Sequence, residues 1–118
     1  MKPSIDIIRT QAPLGYLIHE VARLLKRRFE DEAKTHGITL PQWRSLAHIA
    51  LHEGITQRAL ADAIDADPMT VSGILDRLEK RGLVIRYPDP TDSRAKLAKL
   101  TPQGEAMFRK ARETGLAM

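Results

Sequence analysis

The residues best suited to chemistry are small polar groups and cations between positions 68 and 94. Pro68, Met69, Thr70, Ser72, Gly73 and Arg77 follow one another in PMTVSGILDRLEK. The hydroxyls of Thr70 and Ser72 can donate to a phosphate oxygen or a base edge, and the Thr70 methyl can meet a thymine methyl. Gly73 would let a helix sit close to a duplex. Arg94, in PDPTDSRAK, offers a planar cation suited to the negative potential of a narrow A·T-rich minor groove. Asp92 can pair with it across the turn and hold it extended.

Other chemistries find little support. Cysteine is absent, which excludes a thiolate nucleophile, disulfides and cysteine-based zinc or redox sites. Asp62, Asp65 and Asp67 lie close together, but Asp67 is placed as a helix cap and no catalytic base accompanies them. His19, His36 and His52, with the remaining histidine, are read as offering no metal spacing. Neither an enzyme nor a cofactor is expected.

Charge points the same way. Nineteen Lys and Arg against fifteen Asp and Glu give +4, and residues 70–112 hold ten of the basic residues but five acidic ones. A localised basic field suits a polyanionic partner. With 118 residues, 42% of them apolar and 29% charged, the chain reads as one globular domain. No stretch approaches the roughly 18 uninterrupted apolar residues of a membrane span. The N-terminal MKPSIDIIRTQAPLG has no signal-peptide core, so no membrane partner is expected and the cytoplasm is the expected location.

The elements that must position these residues follow from periodicity. Residues 1–12 read as an arm. From Leu14 the apolar positions Leu14, Ile18, Val21, Leu25, Phe29 and Ala33 recur every three or four residues, widened by Leu24. That is a helix of about 22 residues, some 33 Å long. Its stripe is too long for so small a core to cover, which asks for a partner subunit. TLPQ, residues 39–42, is a capping box opening a second helix to about Leu51. Thr56 caps a third, short helix. Asp67 and Pro68 supply N-cap and first position of a fourth, whose core face is Val71, Ile74, Leu75 and Leu78. Lys80-Arg81-Gly82 ends it.

The period then becomes two. Leu83, Ile85 and Tyr87 alternate with Val84 and Arg86, and a second strand covers about residues 95–100 after a turn-rich connection. Thr101 and Pro102 open a last helix carrying Met107, Phe108 and Ala111. Two short helices joined across residues 65–67, followed by a hairpin, have the plan of a winged helix-turn-helix, with the fourth helix as the one that enters a major groove. The expected fold is mainly α with a small β-hairpin wing and a long N-terminal dimerisation helix. Its parts are an arm and dimerisation helix over 1–36, a DNA-binding lobe over 37–101 and a shortened C-terminal helix over 102–118.

Residues 68–105 resemble the MarR family of bacterial transcriptional regulators. The shared features are LEKRGLV (78–84), Arg86 in the first strand, Asp92 and Arg94 at the wing tip, and LTPQG (100–104). ITLPQW (38–43) is similar to the family's upstream motif, with Ile38 in place of Leu. The resemblance covers about residues 12–113. It implies a homodimer in which the terminal helices intertwine, Leu14, Ile18, Val21, Leu25, Met107 and Phe108 being this chain's candidates for the contact. It implies a pseudo-palindromic duplex DNA site, contacted through Pro68, Met69, Thr70, Ser72, Gly73, Arg77 and Arg94, with Arg86 and Asp92 supporting the wing. It also implies repression, and a small aromatic or phenolic effector in a crevice near Trp43 and His19. Members usually continue well beyond the position of Met118, so a weaker dimer is expected. The lack of cysteine sets the chain apart from thiol-based peroxide sensors among them. The competing reading is a winged-helix protein-interaction module. That would expose Leu, Phe or Tyr on the fourth helix and wing, where this sequence has Thr70, Ser72, Arg77, Lys80 and Arg94.

Overall fold

Pro13 heads a helix that runs to Thr35 (α1, Pro13–Thr35) in the computed structural model, which describes residues 13–113. The arm expected over residues 1–12, and the end of the expected C-terminal segment, lie outside the described residues. Helix α1 ends in a Schellman turn. Gly37 takes φ +71°, its N–H donates to the Lys34 carbonyl, and the Ile38 N–H donates to that of Ala33. Only Ala33 of this helix is buried, with Phe29 resting against the core. The remaining stripe stands in solvent.

Helix α2 (Leu40–Leu51) begins at the anticipated capping box. The Gln42 N–H donates to Thr39 Oγ1 at 3.2 Å, and the Thr39 N–H donates to Gln42 Oε1 at 3.0 Å. Trp43, Leu46 and Ile49 face the core. A short strand follows, β1 (Ile55–Thr56), then α3 (Gln57–Ala63). Thr56 ends the strand and caps the helix, accepting from the Ala59 N–H at 3.0 Å. Helix α4 (Pro68–Lys80) has Asp67 as N-cap and Pro68 in its first turn. Val71, Ile74, Leu75 and Leu78 form its buried face, as the spacing required. It too closes in a Schellman turn, with Gly82 at φ +71° and the Leu83 N–H donating to the Leu78 carbonyl.

Strands β2 (Val84–Pro88) and β3 (Lys96–Leu100) form the wing. The sheet has three strands in the order β1-β3-β2, all antiparallel. The sequence reading anticipated the hairpin but not β1, because two residues carry no period. The inward face of β2 is Val84 and Arg86, opposite Leu100 and Ala98. Ile85 pairs with Lys99 and is exposed on the outside. Leu83 is buried ahead of the strand as the second residue of the Schellman turn, so its burial does not set the strand's phase.

Helix α5 (Pro102–Glu113) starts where the wing returns to the core. Thr101 Oγ1 accepts from the Gly104 N–H at 3.0 Å, and a Cβ at Gly104 would lie 2.0 Å from the Leu83 carbonyl oxygen. Glycine is required there. The core lies between α2, α4 and the sheet, flanked by α3 and α5, and Phe108 of α5 stacks on Trp43 at 5.2 Å between ring centroids.

Candidate nucleic-acid interface

Among the described residues no buried side-chain nitrogen or oxygen lacks a hydrogen-bond partner. With one face of α4 spent on the core, Met69, Thr70 and Arg77 are exposed and Ser72 and Gly73 are half-buried. Met69 is 86% exposed, with no fold-internal role for its side chain. A Cβ at Gly73 would meet nothing within 4 Å. Pro68 sets the entry angle of the helix from its first turn.

Thr70 is held more tightly than the sequence suggests. Its N–H donates to Asp67 Oδ1 at 2.9 Å and its hydroxyl donates to Oδ2 at 2.7 Å. These two bonds, the backbone one foremost, hold the Asp67 carboxyl below its ordinary range. An ionised carboxylate can only accept, so the Thr70 hydroxyl proton is committed to the cap. In this arrangement, with its hydroxyl turned to Asp67, Thr70 offers lone pairs and a methyl. Asp76, exposed on the same helix, is paired with Arg86.

Arg86 is the post on which the wing stands. Its guanidinium, 15% exposed, reaches α4 and α3 from the inner face of β2. Nη2 donates to Asp76 and, at 2.8 Å, to Glu79 Oε1. Nε donates to the same Glu79 oxygen at 3.2 Å, the Arg86 N–H donates to Oε2 at 3.3 Å, and Nη1 reaches Gln57 Oε1 at 3.4 Å. The hydrogen bonds from Arg86 hold the Glu79 carboxyl below its usual range, and the pairing raises Arg86. Glu79 and Gln57 were missed from sequence. The available signal was an acidic residue on the last turns of α4 facing a strand arginine.

The tip is ordered by two side-chain-to-backbone turns. Asp89 Oδ1 accepts from the Thr91 N–H at 2.9 Å and from its hydroxyl at 2.8 Å, and Asp92 Oδ1 accepts from the Arg94 N–H at 3.0 Å. Asp92 lies 3.5 Å from Arg94 Nε, while the Arg94 side chain remains 92% exposed. The tip thus presents one extended cation. In the sequence Asp89 is only one residue of the turn-rich connection, although its position two residues before Thr91 is an Asx-turn pattern.

The remaining candidates divide. Leu14, Ile18, Val21 and Leu25 are all exposed on α1, joined by Tyr16, Leu17 and Leu24. Met107 and Phe108 are half-buried against their own core. A groove of about 410 Å³ between α1 and α2 is lined by Ala22, Leu25, Lys26, Phe29, Leu40, Trp43 and Arg44. Trp43 therefore borders a crevice, and His19 is not among its lining residues. His48 and His52 stand four apart, a metal-compatible helical spacing that the sequence reading overlooked. No group of three or more His, Asp or Glu that could hold a metal occurs among the described residues. No helix among those residues is long and apolar enough to cross a membrane.

The MarR family model matches residues 38–96. The multiple antibiotic resistance protein MarR of Escherichia coli is 35% identical over 107 residues, covering 91% of this chain and 74% of that protein. An HTH-type transcriptional repressor of Mycobacterium tuberculosis is 30% identical over 100 residues, covering 85% and 72%. Among solved structures, a mutant of Escherichia coli MarR complexed with operator DNA superposes with a TM-score of 0.76 at 32% identity, covering 91% of this chain and 76% of that one. MepR, a transcription regulator of the Staphylococcus aureus multidrug efflux pump MepA, gives 0.78 at 27% identity, covering 85% and 74%. The match across the helix-turn-helix and wing, together with this identity over most of the chain, means that the chain belongs to the MarR family.

Proposed function

We propose that this protein is a sequence-specific, duplex-DNA-binding transcriptional regulator of the cytoplasm, acting as a homodimer and without catalysis. The observation that carries the reading is the pairing of two outward features held in fixed relation. One is the α4 face with Met69, Thr70, Ser72, Gly73 and Arg77, for which the fold has little internal use. The other is Arg94 on a tip braced through Arg86. The first suits a major groove and the second the adjoining minor groove. Residues 37–101 form the DNA-binding lobe in this reading. The exposed stripe of α1, with part of the last helix, supplies the contact between two copies and places two α4 helices on a pseudo-palindromic site. Repression follows if that site overlaps a promoter.

The groove between α1 and α2 supports an effector. Its lining is mostly aromatic and aliphatic, and Lys26 and Arg44 among the same residues suit a carboxylate or phenolate. A small aromatic acid bound there would release the DNA.

Selection of duplexes from a random library, followed by a salt titration of the best site, tests the function. If two subunits neutralise roughly 8 phosphates, log K falls against log salt with a slope near −7. A twofold-symmetric selected site is expected. No retained duplex at low salt, or a salt-independent affinity, would overturn the assignment.

A further inference from the structure

The first two turns of α4 contain no Arg, Lys, Asn or Gln. Those side chains make the bidentate contacts that identify guanine or adenine in a major groove. Val71, Ile74 and Leu75 are committed to the core, leaving Pro68, Met69, Thr70, Ser72 and Gly73. The first cation, Arg77, is nine residues past Pro68, about 13 Å up the helix axis. It is remote from base edges met by the first turn.

What remains is largely apolar and acceptor chemistry, with the half-buried Ser72 hydroxyl beside it. Met69 is 86% exposed on the same strip as Gly73 and Arg77, four and eight residues on. The open space over Gly73 lets that strip approach a surface closely. The thioether of Met69 can then lie flat against whatever the strip meets. Thr70 beside it donates its hydroxyl hydrogen bond to Asp67 Oδ2 at 2.7 Å, so in this arrangement it presents a methyl and lone pairs. Across the major groove a thymine–adenine pair shows a C5-methyl, the thymine O4 acceptor and then the adenine amino donor. A cytosine–guanine pair shows an amino donor without the methyl.

Resting on the reading of α4 as the major-groove helix, we propose that each half-site is recognised chiefly through thymine C5-methyl groups. Met69 makes the methyl contact, and Thr70 adds its own methyl and an acceptor for the amino group of the same pair. Under the first turn of α4 the operator therefore carries A·T pairs, and its specificity is apolar in origin where an arginine-led helix would select guanine.

The test uses the full chain and its best selected duplex. Each half-site thymine is replaced in turn by deoxyuridine, which deletes the methyl and leaves every pairing group in place. Burial of one methyl corresponds to about a fourfold change in affinity, expected at one or two positions per half-site. At those positions 5-methylcytosine should bind more tightly than cytosine. Met69→Ala, at an exposed position that leaves the core untouched, should erase the thymine-to-deoxyuridine difference. Arg94→Ala should weaken all of these duplexes by a common factor and keep the difference. A selected duplex that binds well yet shows no deoxyuridine effect at any half-site position overturns the methyl readout and leaves the DNA-binding function standing. A difference that survives Met69→Ala removes Met69 from the contact and overturns the proposal as stated. Failure to retain any duplex overturns both readings.

Discussion

Gly73→Ala separates what the fold needs from what a partner needs. Glycine inside a helix costs about 0.5–1 kcal/mol relative to alanine, because the unfolded chain has more freedom to lose. An alanine Cβ at position 73 would touch nothing within 4 Å, so no clash offsets that gain. The variant should therefore be more stable than the parent by about 0.5–1 kcal/mol in denaturant melts. On DNA the sign reverses. A methyl forced between a closely seated helix and a base edge resembles overpacking, which costs about 1–3 kcal/mol, or roughly 5- to 150-fold in affinity. Fluorescence anisotropy at fixed salt reads this. Gly104→Ala is the control. There the new Cβ would lie 2.0 Å from the Leu83 carbonyl oxygen, and the junction of wing and α5 should fail to close. A Gly73→Ala protein that binds its operator as tightly as the parent would refute the close-approach role. One that melts earlier would refute the helix geometry.

Arg94→Ala should weaken operator binding, most on sites with A·T-rich flanks, with an unchanged thermal midpoint because the side chain is 92% exposed. Leu75→Ala removes a fully buried side chain and should cost about 2–5 kcal/mol in denaturant melts; equal stability would put the wrong face of α4 in the core. Arg86→Met should cost about 1–2 kcal/mol after allowance for the exposure of Asp76 and Glu79, and should reduce operator affinity as the tip loosens. Because Glu79 has a depressed folded-state pKa, its contribution is complete above the ordinary carboxylate range and lost as pH falls through the folded value. Acid titration of the melt should show that loss in the parent and less of it in Arg86→Met.

Much of this fold was legible because its signals are local. The capping box at Thr39, the Asp67 cap with Pro68, and the core spacing of α4 each depend on residues within one or two turns, and each formed as written. What escaped depends on pairing between distant segments. The strand β1 exists because residues 55 and 56 meet Ala98 and Leu97, some forty residues later, and two residues cannot announce a period. The inward phase of β2 escaped because an arginine occupies the buried side while Ile85 faces out. Hydropathy alternation assigns such a strand backwards unless the arginine's partners are known. Thr70 adds a local detail that residue type alone does not give: its hydroxyl donates to the Asp67 carboxylate beside it.

The proposed contact of α4 and the wing with two grooves requires their separation to be fixed, and a two-stranded hairpin alone is too weak to fix it. Two devices supply the stiffness. Arg86 binds β2 to α4 through Glu79 and Asp76 and to α3 through Gln57. Strand β1 sews the segment between α2 and α3 to β3, extended by the Gly54 N–H donating to the Ala98 carbonyl at 3.2 Å. Helix α2 ends at Leu51 and β1 begins at Ile55, so any displacement of α2 must be absorbed by residues 52–54 or passed to the wing. Gly54 already sits at φ +81°, a left-handed conformation that favours glycine. Helix α2 also carries Trp43 and Arg44, which line the groove against α1. The Trp43 and Arg44 lining of that groove and the wing are thus joined by one helix, a three-residue link and one strand pairing, the path along which the proposed effector would act on the proposed DNA contact.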